Sequence, residues 1–98
     1  MLTEKNFFAA DDPEMQYNLG LRYARGEDVA EDSVEAVSWM RKSAEQGYAA
    51  AWFVLGIFYY IGYGVPVDRI AAVKWFRKAA EQGHGDAQQA LQELGESW

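Results

Sequence analysis

The chain contains 98 residues, no cysteine, and 15 acidic against nine basic side chains, which gives a formal net charge of −6. A chain of this length forms one domain with a sizeable core, and its acidity disfavours binding to nucleic acid or to anionic membranes. Residues 1–14 lack the basic and apolar regions of a secretory signal, and the absence of cysteine suits a reducing compartment, so we expect a cytoplasmic protein.

The sequence repeats itself with a period of 36 residues. Residues 13–48 and 49–84 are identical at 15 of 36 aligned positions, and the segments AVSWMRKSAEQGY and AVKWFRKAAEQGH carry most of the matches. In a partial third copy, Leu91 aligns with Leu55. A constant period of this length is typical of repeat proteins, in which each unit packs on the next. The sequence therefore predicts a single domain, 1–98, divided into an N-terminal arm (1–12), two repeats (13–48 and 49–84) and a partial repeat (85–98).

Each repeat is predicted to form two helices. In the first helix of the first repeat, Met15, Leu19 and Tyr23 recur at four-residue spacing on one face, and Gly26 ends the helix. The second helix begins after Asp32, which opens a sequence that resembles a capping box. Applied to the whole chain, this pattern predicts an all-α protein with helices over 14–25, 33–46, 49–61, 69–82 and 86–96.

Gly20 and Gly56 occupy the same position inside the first helix of each repeat. Glycine in a helix interior costs about 1 kcal/mol relative to alanine, so its recurrence indicates the close approach of a neighbouring helix. We expect the large side chains of Trp39 and Trp75, on the second helix of each repeat, to fill this space.

The recurring residues LGxxYxxG, followed by Asp, Ala, Trp and KAAEQG, resemble the Sel1-like repeat, a relative of the tetratricopeptide repeat. The resemblance implies a short α-solenoid of antiparallel helix pairs, with two repeats of 36 residues plus a C-terminal capping helix. It also implies a concave surface lined by the first helix of each unit, and a role in binding other proteins without catalysis. The partial unit departs from the pattern, with Gln92 at the position of Gly56 and Gly95 at that of Tyr59, which suits a capping helix. Some secreted members carry a cysteine pair in each repeat, and this chain has none.

The helix predicted over 49–61 carries no charged residue. It is too short to span a bilayer, which takes about 20 apolar residues, so the protein itself or a partner must cover it. We expect Trp52, Leu55 and Tyr59 to face the core. A second apolar face, formed by Phe53, Ile57, Tyr60 and Ile61, lines the concave groove, packs into the core or forms a homodimer interface; exposed patches of this kind mark interfaces. The groove interpretation predicts these partner-binding residues: Tyr17, Leu21, Arg25, Phe53, Ile57, Tyr60, Ile61, Gln89 and Glu93.

Acidic residues surround the loop between the first two helices. Residues 1–48 carry ten acids and five bases, whereas 49–98 carry five and four. Glu27, Asp28 and Glu31 form an acidic patch, which we interpret either as a solvated edge or as a secondary contact for a basic partner.

No catalytic, cofactor-binding or metal-binding residue is predicted. His84 is the only histidine and has no second ligand near it in the sequence. The sequence GYGV at 62–65 lacks the preceding strand and the following lysine of a phosphate-binding loop.

We therefore predict a non-enzymatic module that binds another protein and neither nucleic acid nor membrane. Its size and acidity favour a small inhibitor, such as an immunity protein or antitoxin that blocks a basic toxin or nuclease domain. The alternative is an adaptor or scaffold, or a homodimeric structural protein that uses the apolar face of the helix over 49–61.

Overall fold

The computed structural model describes residues 11–98, and within this range all regular secondary structure is helical. Five helices follow one another: α1 (Pro13–Arg25), α2 (Ser33–Glu45), α3 (Ala49–Ile61), α4 (Arg69–Glu81) and α5 (Gly85–Glu93). The predicted all-α class is confirmed, and every helix begins within one residue of its predicted start. The last helix ends three residues earlier than predicted, at Glu93. Most of the predicted N-terminal arm lies outside the described residues.

Aspartate side chains begin three of the five helices. Asp12 accepts a hydrogen bond from the Glu14 N–H at 2.8 Å, Asp32 accepts from Val34 and Glu35 at 3.1 Å, and Asp68 accepts from Ala71 at 2.9 Å. Each bond pairs a backbone N–H that the helix itself leaves free. At the other end, α1 and α3 stop at Gly26 and Gly62, whose φ angles of 70° and 77° are left-handed.

Each helix packs chiefly against the next helix in the chain. Because short loops join these neighbours, consecutive helices run antiparallel and the array is a solenoid of hairpins. Two clusters of buried side chains form the core: one around Met40 and Leu55 between α1, α2 and α3, and one around Phe76 and Leu91 between α3, α4 and α5.

The space beside the helix glycines is filled by Met40 and Phe76, and the predicted filling by tryptophan is wrong. A Cβ atom on Gly20 would lie 2.8 Å from the Met40 Cε atom, and one on Gly56 would lie 2.5 Å from the Phe76 ring. Both pairs of helices therefore approach more closely than a side chain at the glycine would allow.

The prediction failed because it placed the wrong face of α2 and of α4 against the preceding helix. Trp39 and Trp75 each precede the filling residue by one position, which turns them by about 100° around the helix axis, and both are only partly buried. A similar shift affects α1, where Met15 is 38 % exposed and the buried positions are held by Gln16 and Gly20.

The predicted core face of α3 is only partly enclosed. Leu55 is fully buried, whereas Trp52 and Tyr59 are partly buried. The Trp52 indole N–H donates a hydrogen bond of 2.9 Å to the Ala44 carbonyl oxygen at the end of α2. Phe58 belongs to the core with an exposed fraction of 6 %, although the first repeat has an arginine at this position.

Candidate protein-binding groove

An open apolar groove of about 260 Å³ lies between α3 and α5, over α4. Its lining residues come from these three helices and the residue that follows α5: Ile57, Tyr60, Ile61, Phe76, Ala90, Glu93 and Leu94. Ile57, Tyr60 and Ile61, from the second apolar face of α3, thus line the same groove as Glu93 of α5. Ile61 is 60 % exposed, so the fold leaves this part of the face open to solvent.

Two residues that line the groove are smaller than their counterparts at the first junction, where α1 and α3 pack over α2; the groove lies at the second, where α3 and α5 pack over α4. The 36-residue period aligns Ala90 with Val54 and Leu94 with Phe58. In the first junction, Phe58 is buried and Val54 packs against the same core cluster. Alanine and leucine at the equivalent places in the second junction leave part of that space without packed atoms.

Phe76 forms the floor of the groove. Its side chain is 4 % exposed, and it lies against the backbone of α3 at Gly56. The Phe53 ring packs on it with 5.7 Å between ring centroids. Both contacts come from α3, so α3 holds the floor in place.

Among the described residues that line the groove, Glu93 alone carries a charge. The Gln89 amide donates a hydrogen bond of 3.3 Å to its Oε2 atom, and the Oε1 atom accepts no hydrogen bond from the described residues. Across the groove, the Arg69 guanidinium lies 4.1 Å from the centroid of the Tyr60 ring, a cation–π contact that holds this ring in place.

The other predicted partner-binding residues do not line the groove. Phe53 stacks on His84 with ring centroids 4.8 Å apart, and Tyr17 packs on Tyr48 at 5.3 Å in the equivalent place of the first repeat. Two more residues lie on α1: Leu21 packs against the first core cluster, and Arg25 is exposed at the helix end. Gln89 is exposed and reaches the groove through its bond to Glu93. A contact of these residues with a partner stays a prediction.

The predicted acidic patch lies on the loop between α1 and α2. Glu31 accepts a hydrogen bond of 2.5 Å from the Tyr63 hydroxyl, which ties this loop to the loop after α3. The bond to Glu31, together with burial, raises the pKa of Tyr63 to about 12. Glu27 and Asp28 are exposed, and Asp28 has a left-handed φ of 62°.

Three groove residues were not predicted: Phe76, Ala90 and Leu94. The repeat alignment already contained a signal for the last two, because it shows alanine and leucine where the preceding unit has valine and phenylalanine. Phe76 follows Trp75 directly, and the sequence pattern did not tell which of the two aromatic rings faces α3.

His84 has a structural role at the start of α5. Its Nδ1 atom accepts a hydrogen bond of 3.2 Å from the Ala87 N–H, and its ring stacks on Phe53. Within residues 11–98, no three histidine or acidic side chains are grouped so that they could hold a metal ion. No helix in the same range is both long and apolar enough to cross a membrane.

Comparison with known proteins identifies relatives of the same architecture. The family model described as Sel1 repeat matches residues 13–48 and 49–84. The solved structure of a Sel1 repeat protein from Oxalobacter formigenes is 38 % identical with a TM-score of 0.83, over 85 % of this chain and 62 % of that one. A protective antigen of uropathogenic Escherichia coli strains, which displays an SLR fold, is 47 % identical with a TM-score of 0.79, over 81 % of this chain and 17 % of that one. Cysteine rich protein B of Helicobacter pylori is 30 % identical with a TM-score of 0.77, over 81 % of this chain and 59 % of that one.

The relatives are longer proteins. The chain spans less than two thirds of each of these three structures, and no curated protein matches it significantly. Sel1 repeats are protein–protein interaction modules. Because two consecutive matches to the family model cover most of the chain, and solved Sel1 repeat structures share its fold, the protein belongs to the Sel1 repeat family.

Proposed function

We propose that this protein is a non-enzymatic protein-binding module and that the groove between α3 and α5 receives apolar side chains of its partner. The observation that carries the proposal is the groove itself, an open apolar space at a junction whose counterpart in the same chain is filled. Filling such a space would stabilise the fold. An unfilled one beside the exposed Ile61 and the partly exposed Tyr60 therefore favours an occupant from outside.

The charge of the chain favours a basic partner. A net charge of −6 and the exposed carboxylates of Glu27 and Asp28 attract a basic protein and speed its association. Within this class we propose a cytoplasmic inhibitor, such as an immunity protein or antitoxin of a basic toxin or nuclease domain, on the basis of charge and size. An adaptor or scaffold would use the same groove and differ in what it connects.

The double variant Ala90→Val, Leu94→Phe tests the role of the groove, because it introduces at these two positions the larger residues that the first junction has at 54 and 58. We expect a free energy of unfolding equal to that of the wild type or about 1 kcal/mol higher. Phage-displayed random peptides would be selected on the wild-type protein, and their affinities measured for both proteins. The filled groove should bind the selected peptides about 30-fold more weakly, as expected for the loss of an anchor site. Equal affinities for the two proteins would contradict the proposal.

Two single variants serve as comparisons. Ile70 is 75 % exposed on α4 and lies outside the groove lining, so Ile70→Ala removes apolar surface without changing peptide affinity. Tyr60→Ala removes one wall of the groove and should weaken binding while the free energy of unfolding changes by about 1 kcal/mol. A large loss of stability in Tyr60→Ala, with affinity unchanged in the folded fraction, would assign this ring to the core and contradict the proposal.

Sedimentation distinguishes a partner from a second copy of the chain. We expect the wild-type protein to sediment as a monomer, like the variant with the filled groove. A wild-type dimer that becomes a monomer when the groove is filled would show that the face mediates homodimerisation, as in the alternative interpretation of the sequence.

A further inference from the structure

We infer that the groove recognises a large apolar side chain that stands next to a lysine or arginine in the partner. This inference rests on the proposed function and specifies its ligand. It follows from the size of the groove, from the rings that line it and from the position of one carboxylate.

The size of the groove suits amino-acid side chains. Small-molecule sites span about 300–1,000 Å³, and this groove of about 260 Å³ lies below that range. The buried Phe76 ring forms its floor and the Tyr60 ring one wall. Aromatic surfaces of this kind pack well against a leucine, methionine or phenylalanine side chain that enters from solvent.

The carboxylate of Glu93 lies where a cation of the partner would meet it. Its Oε2 atom is held by Gln89, and its Oε1 atom is available for a further donor from outside the described chain. Lysine and arginine supply the charge-assisted hydrogen bonds that a carboxylate accepts most strongly. The Arg69 guanidinium lies over the Tyr60 ring, and Arg69 is not among the lining residues.

Acidic flanking residues are disfavoured for the same reason. A partner carboxylate beside the apolar anchor would face Glu93 across a partly dehydrated edge, where the repulsion between like charges is stronger than in bulk water.

A charge reversal tests the inference. The random peptide library is selected in parallel on the wild-type protein, on Glu93→Lys and on Glu81→Lys. Glu81 is exposed at the end of α4 and does not line the groove, so the control changes the net charge equally at another place. Peptides enriched by the wild type and by the control should carry lysine or arginine beside a large apolar residue. Peptides enriched by Glu93→Lys should carry aspartate or glutamate there.

Synthetic peptides give the size of the effect. Versions of one enriched peptide, with blocked ends and with basic or acidic flanks, should differ about fivefold or more in affinity for the wild type, and added salt should reduce the difference. Glu93→Gln should remove most of the preference without inverting it. This milder variant also covers the case in which Glu93→Lys melts below the wild type.

The outcomes separate the two claims. Enriched peptides that lose affinity when the groove is filled but show no preference for basic flanks would overturn the inference and leave the proposed function intact. A preference that persists in Glu93→Gln would also overturn it. Peptides that bind equally well to the filled groove, or no enrichment at all, would contradict the proposed function itself.

Discussion

The two junctions between successive units share the hydrogen bonds and ring contacts at their edges but differ in the side chains packed inside them. At the first junction, the Trp52 side chain of α3 donates a hydrogen bond of 2.9 Å to the Ala44 carbonyl oxygen near the end of α2. At the second, the Gln88 side chain of α5 donates one of 3.1 Å to the Ala80 carbonyl oxygen near the end of α4. At the first junction, the Tyr17 ring of α1 packs on Tyr48, the residue before α3. At the second, the Phe53 ring of α3 packs on His84, the residue before α5.

The difference lies inside this common frame. Phe58 fills the first junction, whereas Leu94 at the equivalent position leaves the second one open. The edge contacts hold neighbouring helices in register, so the side chains between them can become smaller without a change of architecture. The architecture is thus kept although Ala90 and Leu94 leave a groove at the second junction.

The largest expected effect concerns the floor of the second junction. Phe76→Ala removes a buried ring and should lower the free energy of unfolding by about 3–5 kcal/mol, the range for a core aromatic residue. Trp75→Ala removes a larger but partly exposed side chain and should lower it by less. Urea denaturation measures both. A greater loss in Trp75→Ala would mean that the tryptophan, and not Phe76, supports the contact of α4 with α3.

The loops of the two repeats provide the next comparison. Gly64 has a left-handed φ of 71°, and a side chain there would collide with the Ser33 carbonyl oxygen. Asp28 is its counterpart in the first repeat, also left-handed but exposed. We expect Gly64→Ala to lower the free energy of unfolding by about 2–3 kcal/mol, through backbone strain plus overpacking. Asp28→Gly should raise it by up to about 1 kcal/mol, since it only removes strain. Similar shifts in melting temperature for both variants would contradict this distinction.

The two helix glycines should differ more modestly. A methyl group at Gly20 would meet the flexible end of Met40, which can move aside. One at Gly56 would meet the ring of Phe76, which is stiffer than methionine and already packs on the Phe53 ring. Alanine also gains about 1 kcal/mol of helix propensity at either site. We therefore expect Gly20→Ala to be close to neutral and Gly56→Ala to lower the free energy of unfolding by about 1–2 kcal/mol. Equal values from denaturant titrations would show that the Phe76 ring adjusts as freely as methionine.

The fold was predictable because its signals are local. The capping aspartates and the glycines at or just after the helix ends are short-range features of the sequence, and the 36-residue period carries the same plan from one repeat to the next. The second apolar face of α3 was predictable for the same reason, because helical periodicity alone places Ile57, Tyr60 and Ile61 side by side.

What the sequence left open depends on how the helices rotate against one another. Trp75 and Phe76 are adjacent aromatic residues, and only the packing of α4 on α3 decides which of them lies under Gly56. Tyr17 was predicted to adjoin the groove, but its position depends on the curvature of the array, and its ring packs on Tyr48. The volume of the groove likewise results from contacts among three helices.

The smallest expected effect concerns the bond that links the loops of the two repeats. Tyr63 donates to Glu31, whereas the equivalent position in the first repeat is Glu27, which has no hydroxyl group to donate. Tyr63→Phe retains the ring contact with Phe58 and removes the hydrogen bond, so it should lower the free energy of unfolding by about 1 kcal/mol near neutral pH.

The pH dependence of this difference identifies its cause. The pKa of Tyr63 is raised by folding from 10.0 to about 12, first because its hydroxyl donates to the Glu31 carboxylate and then because it is partly buried. A raised pKa means that the stabilisation is fully present below pH 10 and is lost as the pH rises through about 12. The wild-type protein and Tyr63→Phe should therefore converge in stability over this window. Burial also raises the pKa of Tyr48, so tyrosine absorbance should show more than one late titration, and only that of Tyr63 should move to lower pH in Glu31→Gln. A stability difference that stays constant up to pH 12 would assign the effect of Tyr63→Phe to packing rather than to the bond between the loops.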